Sequence, residues 1–157
     1  MIKIEIERKF HIDELPSFIK DDKGHNIEQG YLFISHGEEI RIRSLDSKYY
    51  LTVKKGSGLE RRETEIVLTR DQFFELWPLT EGRRIEKIRH PIPAGEFQIE
   101  LDVYKGDLKG LITAEVEFSD KNESRGFTPP PWFGLEVTND ERYKNKNLAL
   151  KGSAAFE

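Results

Sequence analysis

The feature that most constrains this fold is a strict alternation of isoleucine with charged residues at the start of the chain. Between residues 2 and 7 every second residue is isoleucine, and the intervening residues are Lys3, Glu5 and Glu7. Successive side chains of a β-strand point to opposite faces, so this pattern predicts a strand with one apolar and one charged face. Taken alone, the pattern is also typical of an ordinary half-buried strand.

The same charged face recurs in later segments that are rich in β-forming residues. The predicted strands cover residues 1–10, 27–35, 39–45, 49–54, 60–68, 83–89, 96–104 and 111–119. Their opposite faces are mostly Ile, Val, Leu and Phe. The charged faces carry the carboxylates Glu5, Glu7, Glu63, Glu65, Glu100, Asp102, Glu115 and Glu117, and the cations Lys3, Lys9, Arg41, Arg43, Lys54, Arg61, Lys87 and Arg89.

These strands predict a mainly β (α+β) fold, an eight-stranded antiparallel β-barrel that forms a tunnel. Short turns between consecutive strands imply antiparallel pairing, and about eight strands are enough to close a narrow barrel. Amphipathic helices predicted at 69–77 and 139–150 must cover an apolar surface. If they pack outside the barrel, the charged faces form its lumen, whereas an open sheet would leave those faces in water. The C-terminal helix is expected near one mouth.

Length and composition limit the classes of protein that this chain can belong to. Its 157 residues predict one domain over residues 1–152, followed by a flexible tail over 153–157. Ten Phe, five Tyr and two Trp argue against disorder, and a net charge of −4 gives no support to nucleic-acid binding. The chain has no cysteine, no signal-peptide pattern and no apolar run of about 18 residues. We therefore expect a cytoplasmic protein without membrane partners, either a monomer or a homodimer.

The paired charges indicate a site for a metal ion and a polyanion. Carboxylates two residues apart on one strand, such as Glu5 and Glu7, can converge on a hard cation such as Mg²⁺ or Mn²⁺. Arg41 and Arg43 have the same spacing and suit phosphate oxygens. The four histidines lack the spacing of zinc ligands, and no Ser/His/Asp or Cys/His nucleophile set is apparent. A water activated by the metal is the expected nucleophile.

The ordered set of charged pairs resembles the CYTH superfamily, the triphosphate tunnel metalloenzymes. The resemblance begins with Glu5-x-Glu7-x-Lys9 and spans about residues 2–150. The remaining pairs follow in the family's order: Arg41-x-Arg43, Thr52-x-Lys54, Glu63-x-Glu65, Lys87-x-Arg89, Glu100-x-Asp102 and Glu115-x-Glu117. In its short length the chain is most similar to the small bacterial inorganic triphosphatases.

This resemblance implies a tunnel fold, dependence on Mg²⁺ or Mn²⁺, and a small-molecule substrate that bears a triphosphate. The metal ligands that it implies are Glu5, Glu7, Asp102, Glu115 and Glu117. The phosphate-binding residues that it implies are Lys9, Arg41, Arg43, Lys54, Lys87 and Arg89. The expected catalytic set is Glu5, Glu7, Lys9, Glu63 and Glu65, in which Glu63 and Glu65 would orient cations or water.

The activity expected from this resemblance is metal-dependent hydrolysis of inorganic triphosphate to pyrophosphate and phosphate. One alternative is the activity of a class IV adenylyl cyclase or of a thiamine or nucleoside triphosphatase. A cyclase needs a base-recognition pocket, and no residue set in the sequence identifies one. Another alternative is a non-catalytic binder of polyphosphate or nucleotide. The intact carboxylate pairs disfavour a pure anion binder, because such a protein gains little from a surplus of acids.

Overall fold

The computed structural model describes residues 2–56 and 61–157, with side chains from Ile4 onward. Its strands are β1 (Ile2–Glu5), β2 (Glu7–His11), β3 (His25–Ile34), β4 (Glu38–Leu45), β5 (Lys48–Lys55), β6 (Arg61–Leu68), β7 (Arg84–Ala94), β8 (Phe97–Tyr104) and β9 (Ile112–Glu117). Its α-helices are α1 (Arg70–Leu76), α2 (Lys121–Gly126) and α3 (Asn145–Lys151), and 3-10 helices lie at Ser17–Ile19, Trp77–Thr80, Gly106–Leu108, Glu141–Tyr143 and Gly152–Phe156. In the described ranges, no helix is both long enough and apolar enough to cross a membrane.

The strands form one antiparallel sheet whose two edges are joined by the N-terminal segment. The strand order is β1-β6-β5-β4-β3-β7-β8-β9-β2. The first and last strands in this order, β1 and β2, are separated along the chain only by Ile6. β1 pairs with β6 and β2 pairs with β9, so one extended segment links the sheet into a ring of strands. This topology confirms the predicted antiparallel tunnel, in which β1 and β2 together are the first of the eight predicted strands.

Strand β7 continues through a stretch that the sequence predicted as a turn. Pro91 and Pro93 lie in this strand and pair with Glu100 and Gln98 of β8. The predicted turn at 91–95 is therefore wrong. β3 pairs with β7 only as far as Arg89. Beyond that residue, one side of β7 has no neighbouring strand to receive a backbone hydrogen bond, so proline, which lacks an N–H group, is tolerated there. Most other strand bounds differ from the prediction by one or two residues, and Glu60, the predicted start of β6, lies outside the described residues.

The outward faces of the strands are apolar and are mostly covered, as predicted. Ile42, Ile99 and Val116 are each at most 1% exposed. Ile99 and Val116 belong to a cluster against which Phe127 and Phe133 pack. Ile42 belongs to a cluster with Phe73 of α1. Ile4 is not covered in this way, and 60% of its surface is exposed. The burial of these strand faces on the outside leaves the charged faces pointing inward.

Helix α1 begins and packs as its sequence predicts. The hydroxyl of Thr69 accepts a hydrogen bond from the Gln72 backbone at 3.1 Å, and the Gln72 side chain accepts one from the Thr69 backbone at 2.9 Å. This reciprocal capping box fixes the start of the helix. Phe73 is fully buried and packs against Tyr49 and Trp77, so the aromatic stripe covers the sheet.

The C-terminal segment is more broken than predicted. Instead of one helix over 139–150, a 3-10 turn at Glu141–Tyr143 is separated from α3 by Lys144, whose backbone is extended (ψ 134°). Residues 152–156 form a further 3-10 turn in which Ala155 is buried. The predicted domain limits and the flexibility of residues 153–157 stay predictions.

Helix α3 is part of the hydrophobic core, and two leucines on it allow a matched test. Leu148 is 1% exposed within a cluster that includes Tyr31 and Ile85, whereas Leu150 is 47% exposed. We expect Leu148→Ala to lower the free energy of unfolding by about 2–5 kcal/mol, because it leaves a cavity in the core. Leu150→Ala is expected to change the same quantity by about 0.5 kcal/mol or less. Urea unfolding of both variants measures the difference, and equal losses would contradict this placement of α3.

Candidate functional site

Two adjoining cavities lie inside the ring of strands, and both are walled by predicted site residues. Their volumes are about 200 Å³ and about 130 Å³. Both are lined by Glu5, Glu7, Arg41, Lys54 and Glu115. The larger is also bordered by the segment 137–146 and is called here the C-terminal cavity. The smaller, called the distal cavity, is also lined by Arg43, Glu63, Arg89, Glu100, Glu117 and Asn145.

The register of the strands brings these charges together from distant parts of the chain. Glu7 on β2 lies opposite Glu117 on β9, and Lys9 lies opposite Glu115. Because side chains alternate along each strand, every second residue of a strand faces the interior. The residue opposite it on the neighbouring strand faces the interior as well. The alternation in the sequence therefore becomes a single charged interior surface.

Glu7 lies in a cluster of like charges. Burial, and then the nearby carboxylates of Glu115 and Glu5, raise the pKa of Glu7 well above its usual range. Burial also acts to raise the pKa of Glu5, but the ammonium of Lys54 outweighs it, and the pKa of Glu5 is lowered. The negative charge at Glu7 is thus poorly compensated, and a bound cation would relieve the repulsion.

Two further carboxylates of the cluster have cationic neighbours. Glu115 lies 3.4 Å from the Nζ of Lys9. Although burial acts to raise it, the pKa of Glu115 falls to about 2, chiefly because of Lys9. Glu63 lies 3.8 Å from the Nζ of Lys54. The low pKa of Glu115 keeps this carboxylate ionised at neutral pH.

The carboxylates match a divalent cation in chemistry, although they are not arranged as a formed metal site. Within residues 2–56 and 61–157, no group of three or more His, Asp or Glu is placed to hold a metal ion. Glu5 Oε2 is buried and accepts no hydrogen bond, although Lys54 Nζ lies 3.0 Å away. An all-carboxylate set of oxygen donors suits Mg²⁺ or Mn²⁺. The chemistry of these residues therefore fits a hard cation, although their spacing in this structure does not form its site.

Arg41 and Arg43 are cations that form no direct ion pair with a carboxylate in the described part of the chain. The Nε of Arg41 is buried without a hydrogen-bond partner. Arg43 donates from Nε to the neutral Gln29 Oε1 at 2.9 Å. Burial, and then the nearby Arg41 and Arg89, lower the pKa of Arg43 to about 9, so it remains charged at neutral pH. Burial acts to lower the pKa of Arg41, but the nearby Tyr31 and Glu39 raise it above its usual value. Two adjacent guanidinium groups without a direct ion pair favour the binding of an anion.

Lys9 is held at the wall of the C-terminal cavity. Its Nζ donates a hydrogen bond to the backbone carbonyl of Tyr143 at 2.6 Å. The hydroxyl of Tyr104 donates to Asn145 Oδ1 at 2.6 Å. The segment 137–146 is therefore fastened across one end of the interior, where the sequence placed a C-terminal helix.

Lys87 and Asp102 were predicted to contact substrate and metal, yet both are fully buried behind the cavity surface. Lys87 Nζ lies 2.7 Å from Asp102 Oδ2, and Arg89 donates to both oxygens of Asp102 at 2.8 and 2.9 Å. Burial lowers the pKa of Lys87 to about 7, and Asp102 only partly opposes this. Among the described residues that line the two cavities, neither Lys87 nor Asp102 is found. This geometry favours Asp102 as a support for Arg89 over Asp102 as a metal ligand.

Glu65 lies apart from the other predicted catalytic residues. Its carboxylate accepts a hydrogen bond from Thr52 Oγ1 at 2.9 Å, and its surface is exposed. It is absent from the described residues that line the two cavities, whereas Glu63 lines the distal one. Of the predicted pair Glu63 and Glu65, the structure therefore places only Glu63 at a cavity.

The structure adds a charged pair that sequence reasoning did not select for the site. Glu39 is 4% exposed and accepts a hydrogen bond from Arg61 Nη2 at 2.6 Å. Both residues line the C-terminal cavity. Glu39 shares its strand face with Arg41 and Arg43, and this shared face was the signal that could have identified it.

Comparisons with known proteins agree on one family. A model of the CYTH domain matches residues 3–147. An inorganic triphosphatase of Nitrosomonas europaea is 46% identical over 151 residues, which cover 93% of this chain and 97% of that protein. An inorganic triphosphatase of Acetivibrio thermocellus is 38% identical over 146 residues, which cover 92% of each protein.

Solved structures agree with this match. The crystal structure of an inorganic triphosphatase superposes with a TM-score of 0.68 at 43% identity, over 93% of this chain and 94% of that one. A candidate adenylate cyclase from Bacillus halodurans superposes with a TM-score of 0.60 at 17% identity, over 79% of this chain and 85% of that one. The second likeness concerns the fold alone.

Proposed function

The chain belongs to the CYTH family, and on this premise we propose that it hydrolyses inorganic triphosphate to pyrophosphate and phosphate with a divalent cation. Relatives that are inorganic triphosphatases, at 46% and 38% identity over more than nine-tenths of the chain, support the choice of substrate. The observation that carries the proposal is the pair Arg41 and Arg43, which forms no direct ion pair with a carboxylate in the described residues. This pair lies in the same interior as a carboxylate cluster whose charge is unrelieved at Glu7.

The cations of the interior bind the phosphate chain. Arg41 and Arg43 lie two residues apart on β4 and face the same side. A guanidinium can donate two parallel hydrogen bonds to phosphate oxygens, so this pair suits adjacent phosphates of one chain. Lys9 and Lys54 supply further charge from β2 and β5. Entry of the polyanion compensates the burial of Arg41 and Arg43, whereas Lys9 and Lys54 already have the carboxylate partners Glu115 and Glu5.

The carboxylates hold the divalent cation. We assign Glu5, Glu7, Glu115 and Glu117 to this role and propose Mg²⁺ or Mn²⁺ as the ion. Such an ion, when held by these carboxylates, would neutralise charge on the phosphate oxygens and so lower the barrier to attack. Asp102 is left out of this set because two cations already occupy its oxygens.

Hydrolysis then needs few groups beyond those that bind and orient. The oxygen of a water molecule attacks a terminal phosphorus and forms a new P–O bond, while the anhydride P–O bond breaks. The electron pair of that bond leaves on pyrophosphate, and the water protons pass to the products and to solvent. Arg41 and Arg43 stabilise the negative charge that shifts between these oxygens, which is the main contribution of a protein to phosphoryl transfer.

Phosphate release across a panel of substrates tests this proposal. Inorganic triphosphate, thiamine triphosphate and ATP are compared with Mg²⁺, with Mn²⁺ and with EDTA, and cyclic AMP is measured alongside. We expect inorganic triphosphate to have the highest kcat/KM, to yield pyrophosphate and phosphate in equal amounts, and to be inert in EDTA. Cyclic AMP as the main product from ATP, or no cleavage of any substrate, would reject the proposal.

Some expectations about the cellular setting remain. A cytoplasmic location, a lack of nucleic-acid and membrane partners, and a monomeric or homodimeric state stay predictions.

A further inference from the structure

A buried glutamine connects Arg43 of the interior to the hydrophobic core. Gln29 lies on the inner face of β3, opposite Arg43 of β4, and none of its surface is exposed. Its Oε1 accepts a hydrogen bond from Arg43 Nε at 2.9 Å, and its Nε2 donates to the hydroxyl oxygen of Tyr31 at 2.8 Å. Tyr31 is also fully buried, in the cluster that contains Ile85 and Leu148. A chain of hydrogen bonds therefore runs from the core to the guanidinium.

The orientation of the amide follows from its two neighbours. The guanidinium is only a donor, so it requires the carbonyl oxygen of Gln29, and the amide nitrogen must then face the hydroxyl of Tyr31. The opposite orientation would place two donors against each other at Arg43. Arg43 thus selects the orientation of the amide, and the hydrogen bond to Tyr31 holds the amide in place beside the Nε of Arg43.

This contact leaves the charge and the outer edge of Arg43 available. In the described part of the chain, the Nη1 and Nη2 atoms of Arg43 have no hydrogen-bond partner. Arg89 is held differently, because the carboxylates of Asp102 and Glu100 bind its guanidinium and offset its charge. A neutral amide orients a cation without neutralising it.

We propose that Gln29 is a positioning residue that aims the Nη edge of Arg43 at a phosphate oxygen and keeps its charge uncompensated. The identity of the anion as triphosphate rests on the proposed function. The positioning itself requires only that an inorganic polyphosphate binds beside Arg43. Glu at this position would accept the same hydrogen bond and offset the charge of Arg43.

Two substitutions separate orientation from charge. Gln29→Met keeps the length and removes the hydrogen bond, and we expect kcat/KM to fall about 10- to 100-fold, mainly through KM, because a misplaced group costs on this order. Gln29→Glu keeps an acceptor for Arg43 Nε and adds a negative charge, and we expect it to raise KM at least as much. A wild-type KM in either variant would overturn the corresponding part of the proposal.

A double-mutant cycle excludes a purely structural role. If Gln29 acts through Arg43, then Gln29→Met added to Arg43→Ala should change kcat/KM by no more than about twofold. If Gln29 merely supports the fold, Gln29→Met should lower kcat/KM by the same factor in the wild type and in Arg43→Ala. Ile19→Ala is the control, because Ile19 is buried in the cluster with Phe10 and Ile12 and lines neither of the two cavities. It should lower Tm without changing KM.

Binding of inorganic tripolyphosphate, measured by calorimetry without added metal, keeps this test independent of turnover. We expect Gln29→Met to weaken binding in the wild-type background and to have no further effect in Arg43→Ala. If the wild type binds tripolyphosphate but does not cleave it, the proposed function fails while the binding cycle still decides the role of Gln29. If the wild type does not bind it, both proposals are overturned.

Discussion

Glu7→Gln is expected to remove nearly all turnover, with a fall in kcat on the order of 1,000-fold. The change keeps the size of the side chain and removes one charge from the carboxylate cluster. Because Glu115 and Glu5 already repel the ionised Glu7, loss of its charge should leave Tm unchanged or raise it. Kinetics at several concentrations of Mn²⁺ or Mg²⁺ should also give weaker activation by metal, with a little activity restored at high metal.

The matched control for Glu7 is Glu38→Gln, which makes the same chemical change on the surface. Glu38 is partly exposed and forms an ion pair with Lys55 at 3.1 Å. A surface ion pair contributes little, so kcat should stay within about twofold of the wild type. Equal losses in the two variants, or a wild-type rate in Glu7→Gln, would remove the carboxylate cluster from the mechanism.

Arg43→Ala is expected to lower kcat/KM by about 30- to 1,000-fold, which corresponds to roughly 2–4 kcal/mol of lost transition-state stabilisation. The substitution removes a guanidinium that has no carboxylate partner in the described residues, so no buried acid is left unpaired. Metal activation should therefore change little, in contrast to Glu7→Gln. Steady-state kinetics against triphosphate at several metal concentrations separates the two effects.

Two further variants serve as controls for Arg43→Ala, one that keeps the charge at this position and one that removes an arginine on the surface. Arg43→Lys retains the charge without the planar fork and should recover only part of the lost kcat/KM. Arg70→Ala removes an exposed arginine that lies over the Phe74 ring on α1, and it should leave kcat/KM unchanged. A near-wild-type kcat/KM in Arg43→Ala would contradict its assignment to the substrate.

Alternation along the strands was enough to predict the inward-facing charges, because the two-residue period of a strand is set by backbone geometry alone. Glu7 and Glu117 were selected in this way, and they meet across β2 and β9. The path of β7 was not predictable from its prolines, because their tolerance depends on where the neighbouring β3 ends. The break at Lys144 likewise depends on how the C-terminal segment is fastened to the interior.

How deeply each charged side chain is buried could not be predicted from alternation. Glu100 and Asp102 face the same side of β8, yet Asp102 is fully buried between Lys87 and Arg89 while Glu100 lines the distal cavity. Gln29 escaped notice for a different reason. A neutral residue does not stand out in a motif of charges, and its importance follows only from its register opposite Arg43.

The most direct test of the central claim is a crystal structure with a non-hydrolysable triphosphate analogue and Mn²⁺, in which anomalous scattering locates the metal. We predict that the analogue occupies the two cavities with phosphate oxygens on the Nη atoms of Arg41 and Arg43. The anomalous peak should lie among the carboxylates of Glu5, Glu7, Glu115 and Glu117. An analogue bound outside the ring of strands, or a metal away from these carboxylates, would contradict the claim that this charged interior is the active site.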